Sequence, residues 1–369
     1  MTSPGNKMNR KQTFYRNSLG CLRASKGLTC VCLLLTLLAC SSIDEDLSDC
    51  GSDYELNYEL RLVTNLTTEL HTELQTELST QTELSVAQAL RTHLSSIFTD
   101  YAHDVDLSFY DTQGDSLRLH HDEHIMDANQ ASYTLYLPMR QYMHLAAANV
   151  VNNNVVSIAN DERCHRATLL SVQGDTIASH TTGIFTARQP MEVLEGVDQT
   201  FNVHLYMANC AATLVIDTIG SNLGALNVVS TGFATGFNMA DSTFIYPSKS
   251  PIVVAEQIQT NTSDNGVAFC AVSFPSPEKP TTRTVIETTE PFISASSENS
   301  LWEFRVYATT AEGTITESRL YVNTPLRAGQ LKIVKAKAKP DGSMGTNDQT
   351  VGVSVTLNWN NAGEYNPEL

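Results

Sequence analysis

The sequence predicts a mostly β protein: two antiparallel β-sandwich domains in tandem, with one helix near the N-terminus of the first. Three observations lead there. Short runs of alternating apolar and polar residues recur from residue 104 onward, with turn residues between them. A single stretch near residues 82–99 carries helical spacing instead. Removing a targeting segment, residues 1–39, from the 369 leaves 330 residues, enough for two domains that each bury a core.

The targeting segment is read from Gly27 to Cys40, Gly-Leu-Thr-Cys-Val-Cys-Leu-Leu-Leu-Thr-Leu-Leu-Ala-Cys. Arg10, Lys11, Arg16, Arg23 and Lys26 precede it, and no acid occurs before Asp44. A basic start, a short apolar run and a small residue before the cut make a secretory signal. Leu28 to Ala39 is shorter than the roughly 20 apolar residues a membrane-spanning helix needs. The ending Leu37-Leu38-Ala39-Cys40 resembles a bacterial lipobox, in which the cysteine is acylated and becomes the new N-terminus. Ser41-Ser42-Ile43-Asp44-Glu45-Asp46 resembles the acidic tag that exports Bacteroidales lipoproteins to the outer face. The resemblance implies lipid (palmitate) attachment at Cys40, a surface-export tag at Asp44, Glu45 and Asp46, and a cell-surface location on the outer membrane. Two or more acyl chains hold a protein stably on a bilayer, where one holds it only marginally. The alternative is a soluble exported protein cut elsewhere.

Residues 1–39 carry six basic and no acidic residues, so the remaining chain has 17 Lys and Arg against 40 Asp and Glu. That surface repels phosphate backbones and argues against a nucleic-acid partner. Beyond Cys40, the mature chain keeps Cys50, Cys164, Cys210 and Cys270, which allow three pairings or free buried thiols. No two of them have Cys-x-x-Cys spacing, which argues against a zinc or redox site.

Residues 40–51 read as an acidic tether, and Tyr54 to Val63 as a strand. Thr68-Glu69-Leu70-His71, Thr72-Glu73-Leu74-Gln75 and Thr76-Glu77-Leu78-Ser79 are near-copies, with Thr82-Glu83-Leu84-Ser85 a displaced fourth. Their leucines keep roughly one helical face, while glutamates at the same spacing weaken the helix. Thr80 and Glu83 fit a capping box, and Leu84, Ala87, Leu90, Leu94 and Phe98 share a face. The spacing predicts a helix over about 82–99, with the repeat as its frayed extension inside a region of about 66–99. Local duplication in a tolerant loop explains the repeat better than a dedicated spacer does.

Period-two strands follow around Val105, Leu107 and Phe109; Leu117 and Leu119; Tyr133, Leu135 and Leu137; Met143, Leu145 and Ala147; Leu170 and Val172; and Phe201, Val203, Leu205 and Met207. Asn209 to Ala212 marks a boundary, giving domains 52–208 and 209–369. The second half repeats the pattern at Leu214 and Ile216, at Trp302, Phe304 and Val306 before the turn Ala311-Glu312-Gly313, and at Leu331 and Ile333. Pro275 to Pro291 reads as a loop. The last element is the most regular: Val351, Val353, Val355, Leu357 and Trp359 point one way. It is either an ordinary strand of its own domain or a candidate subunit-contact strand, able to add to another subunit's sheet edge.

Catalytic signatures are missing. There is no phosphate loop, Gly-x-Ser-x-Gly elbow or His-Glu-x-x-His helix, so no enzyme, cofactor or small-molecule substrate is expected. His120-His121-Asp122-Glu123-His124 is the densest polar cluster and reads as decoration of a solvated loop, not a metal site.

The order of features resembles the FimB-type fimbrial anchor family of Bacteroidales. The resemblance rests on Cys40 with its acidic tail, Asp46-Leu47-Ser48-Asp49-Cys50, and the strand Val105 to Tyr110 running into Asp111-Thr112-Gln113-Gly114. Leu135-Tyr136-Leu137-Pro138 followed by Tyr142 and Asn149, and Phe201 to Leu205 leading into Ala212 to Ile216, complete it. It implies transthyretin-like sandwiches, no catalysis, and a lipoprotein that anchors or terminates a fimbrium (pilus) through β-strand contact with pilin subunits. The tail from Trp359 to Pro367 is closer to fimbrillin-like ends, which keeps a tip or shaft subunit open. A surface glycan-binding lipoprotein of an uptake system is the competing class. It requires exposed aromatic platforms, and both tryptophans, Trp302 and Trp359, fall in the inward phase of their strands.

Overall fold

The computed structural model describes residues 53–358 apart from 64–73, 75–77, 79–80, 99–101, 113–117, 127–131, 152, 160–167, 172–173, 259–265, 280–283, 286–299 and 346–354. Within them the chain is mostly β, with one long helix, Gln81–Ile97.

The largest assembly is a seven-stranded sheet, ordered Arg118–Met126, Asp104–Asp111, Gln141–Ala148, Phe185–Glu192, Gln199–Met207, Asp53–Val63, Ser132–Pro138. Its neighbours are antiparallel except one pair: Asp53–Val63 runs parallel to Gln199–Met207, with Leu56 opposite Gln199 and Val63 opposite Tyr206. A parallel neighbour needs a crossover connection. Here the crossover is the helix and the eight strands that lie between it and Gln199–Met207 in sequence.

A six-stranded sheet holds the central strands Gly266–Ser273, Cys210–Asp217 and Gln330–Ala338. Cys210–Asp217 lies antiparallel to the first and parallel to the last. A five-stranded sheet is built on Ile315–Val322, Trp302–Thr310 and Leu223–Thr231. A four-stranded sheet joins Val156–Ile158 and Thr168–Ser171 to Gly236–Asn238 and Thr243–Ile245. The first half thus lends strands to a sheet whose other half comes from beyond residue 209. From Ser52 onward the chain forms one compact unit.

Three apolar clusters show how the layers stack. One face of the seven-stranded sheet (Leu56, Tyr58, Leu107, Phe109, Leu205) packs on the helix. The helix in turn packs on one face of the six-stranded sheet (Val215, Cys270, Leu331, Ile333), all within one continuous core. The other face of that sheet (Leu214, Phe269, Val334) meets Trp302, Phe304 and Val306 of the five-stranded sheet. The opposite face of the seven-stranded sheet (Tyr110, Leu145, Ala147) meets Leu169 and Phe237 of the four-stranded sheet.

This layering alters two expectations. Asp104–Asp111, expected as a half-polar alternating strand, is buried at every residue because both its faces are covered. Asp104 therefore turns its carboxylate to the backbone amides of Val150 and Val151, 3.3 and 3.2 Å away. The helix buries Val86, Ala87, Leu90, Leu94, Ile97 and Phe98, whereas Leu84, expected on that face, is 47% exposed. Leu74 and Leu78 of the repeat are fully buried, and the amide of Leu78 donates to the Leu74 carbonyl at 3.0 Å. At these two positions the repeat is part of the core instead of an unpacked loop. Thr80 and the Glu83 side chain lie outside the described residues, as does most of Pro275–Pro291. His120 to His124 fall in the edge strand Arg118–Met126 instead of a loop.

Leu94 is fully buried where both large sheets meet the helix. Leu94→Ala is expected to cost about 2–5 kcal/mol in urea unfolding. Tryptophan fluorescence and far-ultraviolet circular dichroism should then report one coincident transition, because the core is shared; two separate transitions would contradict that continuity.

Candidate functional site

The expected functional positions fall into two groups. Cys40, Asp44, Glu45 and Asp46, with Val351, Val353 and Trp359, lie outside the described residues. Val355 and Leu357 lie in the short strand Val355–Asn358, antiparallel to Gln330–Ala338, with Val355 opposite Ile333 and Leu357 opposite Leu331.

The strand they cover carries buried apolar side chains on both faces, with Lys332, Lys335 and Lys337 interspersed. Leu331 and Ile333 point into the core shared with the helix; Val334, Ala336 and Ala338 point into the core shared with Trp302. Such a strand is suited to the interior of a sheet. Its inner edge is filled by Cys210–Asp217 along seven residues. Its outer edge is covered at one end by Val355–Asn358 and at the other by Met344–Gly345. The terminal strand therefore sits at the rim of the six-stranded sheet, closing a buried strand from outside.

Charged groups lie at and just before the start of the covered strand. Arg327 and Glu278 form a bidentate pair at 2.7 and 2.9 Å, which lowers the Glu278 carboxyl and raises the Arg327 guanidinium. Both side chains are more than half exposed, so the pair adds little to stability. Lys332 is 7% exposed, and burial, followed by repulsion from Arg327, lowers its ammonium.

Asn209 stands where the seven-stranded sheet hands over to the six-stranded one. Fully buried, it accepts from the Ile184 amide at 3.2 Å and donates to the Thr182 carbonyl at 3.0 Å and to His180 Nδ1 at 3.4 Å. Its carbonyl accepts from the Gly329 amide at 2.8 Å, one residue before the covered strand. Asn149 plays a matching part. At φ 63° it occupies the left-handed region that asparagine tolerates. It accepts from the His103 amide at 2.7 Å and donates to the Gly183 carbonyl at 2.8 Å. Tyr142 is buried and donates to the Pro138 carbonyl at 3.0 Å.

Cys210 and Cys270 are free thiols buried on opposite faces of the six-stranded sheet. Each of the three complete pairings would use both, so a two-disulfide framework is not formed; Cys50 and Cys164 lie outside the described residues. Burial pushes the Cys270 thiol up to about 12, which keeps it protonated and unreactive. Trp302 is fully buried and donates its indole N–H to the Thr324 carbonyl at 3.0 Å, so its ring offers no platform to a sugar.

Among the described residues this is a sheet rim in a β-rich fold with one long helix. No family model and no curated protein matches the chain. Among solved structures, the fimbrial anchor protein Mfa2 of Porphyromonas gingivalis is similar at 11% identity over 81% of this chain and 95% of that one, with a TM-score of 0.42. The tip fimbrial protein Mfa3 of the same organism is similar at 12% identity over 78% and 96%, with a TM-score of 0.40. A candidate polysaccharide-binding protein of Bacteroides thetaiotaomicron is similar at 9% identity over 78% and 93%, with a TM-score of 0.46. At these values the likeness carries no statement about what this chain does.

Two buried histidines went unnoticed in the sequence, since each sits in an ordinary strand or loop pattern. His144 is fully buried: its Nδ1 donates to the Ser108 carbonyl at 3.1 Å, so its Nε2 accepts from the Tyr58 hydroxyl at 2.5 Å, and the ring stacks on Phe109. Burial lowers its pKa to about 4, and that of His180 to about 3. Both rings are therefore neutral in the fold, whereas an unfolded imidazole titrates near 6.5. The stability they permit is complete above pH 6.5 and is lost as pH falls through 6.5 toward 4 and 3. The urea midpoint should drop between pH 7 and pH 4.5, and His144→Gln should show a smaller drop; a midpoint flat over that interval would contradict the assignment.

Proposed function

We propose that this chain is a surface lipoprotein of the outer membrane that anchors or terminates a fimbrium, meeting pilin subunits through β-strand contact. The observation that carries the reading is the run Leu37-Leu38-Ala39-Cys40 ahead of Asp44-Glu45-Asp46, thirteen residues before the seven-stranded sheet begins at Asp53. Acyl chains at Cys40 would hold one end of a multi-sheet body whose described residues include a strand-closed rim. Two routes to a partner follow from that rim. A pilin strand adds outside Val355–Asn358, or it replaces that short strand against Gln330–Ala338. Among the described residues four of the terminal strand are paired there, and main-chain hydrogen bonding of either kind gives affinity without requiring a particular side chain.

Cys40→Ser is expected to move the protein from the outer-membrane fraction to the medium, and surface fibres should be shed or fail to stay attached. Mass spectrometry of the wild-type N-terminal peptide should find acyl chains on Cys40. Crosslinks from residues 351–359 on intact cells should reach a fimbrial subunit. Retention of the serine variant in the membrane, or fibres unchanged on deletion of the whole chain, would contradict the proposal.

A further inference from the structure

Turns in soluble proteins are usually polar, because their backbone faces water. Two adjacent turns of the seven-stranded sheet break that pattern. The first, after Ser132–Pro138, carries Met139, 53% exposed. The second, between Phe185–Glu192 and Gln199–Met207, carries Leu194 and Val197, 43% and 50% exposed. They lie side by side, since the Val193 amide donates to the Arg140 carbonyl at 2.9 Å. Tyr136, 55% exposed, sits on the edge strand leading into the first turn.

The second turn is firmly built. Gln199 accepts from the Leu194 amide at 2.8 Å and donates to the Glu192 carbonyl at 3.0 Å, clamping the loop from both sides. Gly196 at φ 65° supplies the reversal that other residues resist. Two aliphatic side chains are thus presented to the outside by a rigid turn whose own neighbour, Val193, is 1% exposed.

The chain itself says what lies nearby. Asp53 pairs with Pro138, so the tether enters the fold beside Met139. Cys40 is thirteen residues upstream, a span of at most about 45 Å when fully extended. We infer that this end of the seven-stranded sheet is a second membrane contact, with Met139, Leu194 and Val197 dipping into the bilayer interface and the Tyr136 ring lying at headgroup level. Tyrosine suits that level because it joins an apolar ring to a hydroxyl. Glu195 lies within the same turn and Glu192 and Asp198 flank it, so the contact rests on the apolar side chains and not on attraction to headgroup charge. The inference rests on acylation at Cys40 and adds an orientation to it: the body stands on the membrane by this end, instead of swinging freely on its tether.

The test uses the full mature lipoprotein in phosphatidylcholine vesicles containing a photoactivatable acyl chain, with adducts mapped by mass spectrometry. Lipid adducts are expected on the peptides holding Met139 and Leu194 to Val197, and not on the strand holding Ile315, which is 69% exposed elsewhere. A Leu194→Asp, Val197→Asp double variant should lose most of the adducts on its turn while keeping the wild-type urea midpoint. An acylated protein with no lipid on these turns, or with equal labelling at Ile315, overturns the inference and leaves the anchor intact. An N-terminal peptide without acyl chains overturns both. In cells, a photo-crosslinking residue at Leu194 that captures a polypeptide or a second copy, instead of lipid, also overturns it.

Discussion

The fold depends on one helix having an apolar surface for two sheets at once. Gln81–Ile97 lies between the seven-stranded and six-stranded sheets, and Leu90 and Leu94 are fully removed from water there. Each buried leucine contributes roughly 1.5–3 kcal/mol of transfer free energy. Those contributions are shared by elements from residue 56 to residue 333, so the two halves have one core between them. Everything else is arranged around that constraint. Asp53–Val63 joins a parallel partner nearly 140 residues away, with the helix in the crossover. The six-stranded sheet is covered on both faces, and its outermost long strand puts apolar side chains into both cores and is closed at its outer edge by Val355–Asn358.

Much of this was legible in the sequence. Alternation at Phe201 to Met207 and at Tyr133 to Leu137 predicted strands that are present, because a strand covered on one face leaves a two-residue period; Trp302 to Val306 alternates too, although its polar Glu303 and Arg305 are buried as an ion pair. The helix emerged from its 3.6-residue spacing. Spacing defines a stripe but not its covered margin, and Leu84 fell on the uncovered side. Leu74 and Leu78 were misjudged for a related reason: repetition suggested a tolerant loop, while the sheets offered those leucines a place in the core. Parallel pairings and the exchange of strands into the four-stranded sheet leave no local trace, since their partners are far apart in sequence. The clamping roles of Asn149 and Asn209 were not legible: the first entered only through the family resemblance and the second only as a boundary, because a buried asparagine at a strand end looks like any other loop residue.

The candidate site divides along the same line. The lipobox and acidic-tag readings rest on local patterns, Leu37 to Cys40 and Asp44 to Asp46, which lie outside the described residues. The rim role of the terminal strand has no local pattern, because it comes from the pairing of Val355–Asn358 with Gln330–Ala338. The exposed aliphatics at Leu194 and Val197 carried a usable sequence signal, two apolar residues around the glycine of a turn, whereas the pairing of Asp53 beside the neighbouring turn left none. The chemistry is consistent with a structural role. The buried thiols and imidazoles are held in their neutral forms by desolvation, and the hydrogen bonds of Cys210, His144 and His180 go to backbone carbonyls and to Tyr58 and Asn209.

The most direct test of the account is the position of this chain along intact fibres. Immunogold labelling of surface-attached fimbriae with antibody to the described β-rich body should place a single cluster at one fibre end, next to the membrane for an anchor. Gold spaced regularly along the shafts, or confined to membrane bearing no fibre, would contradict the account.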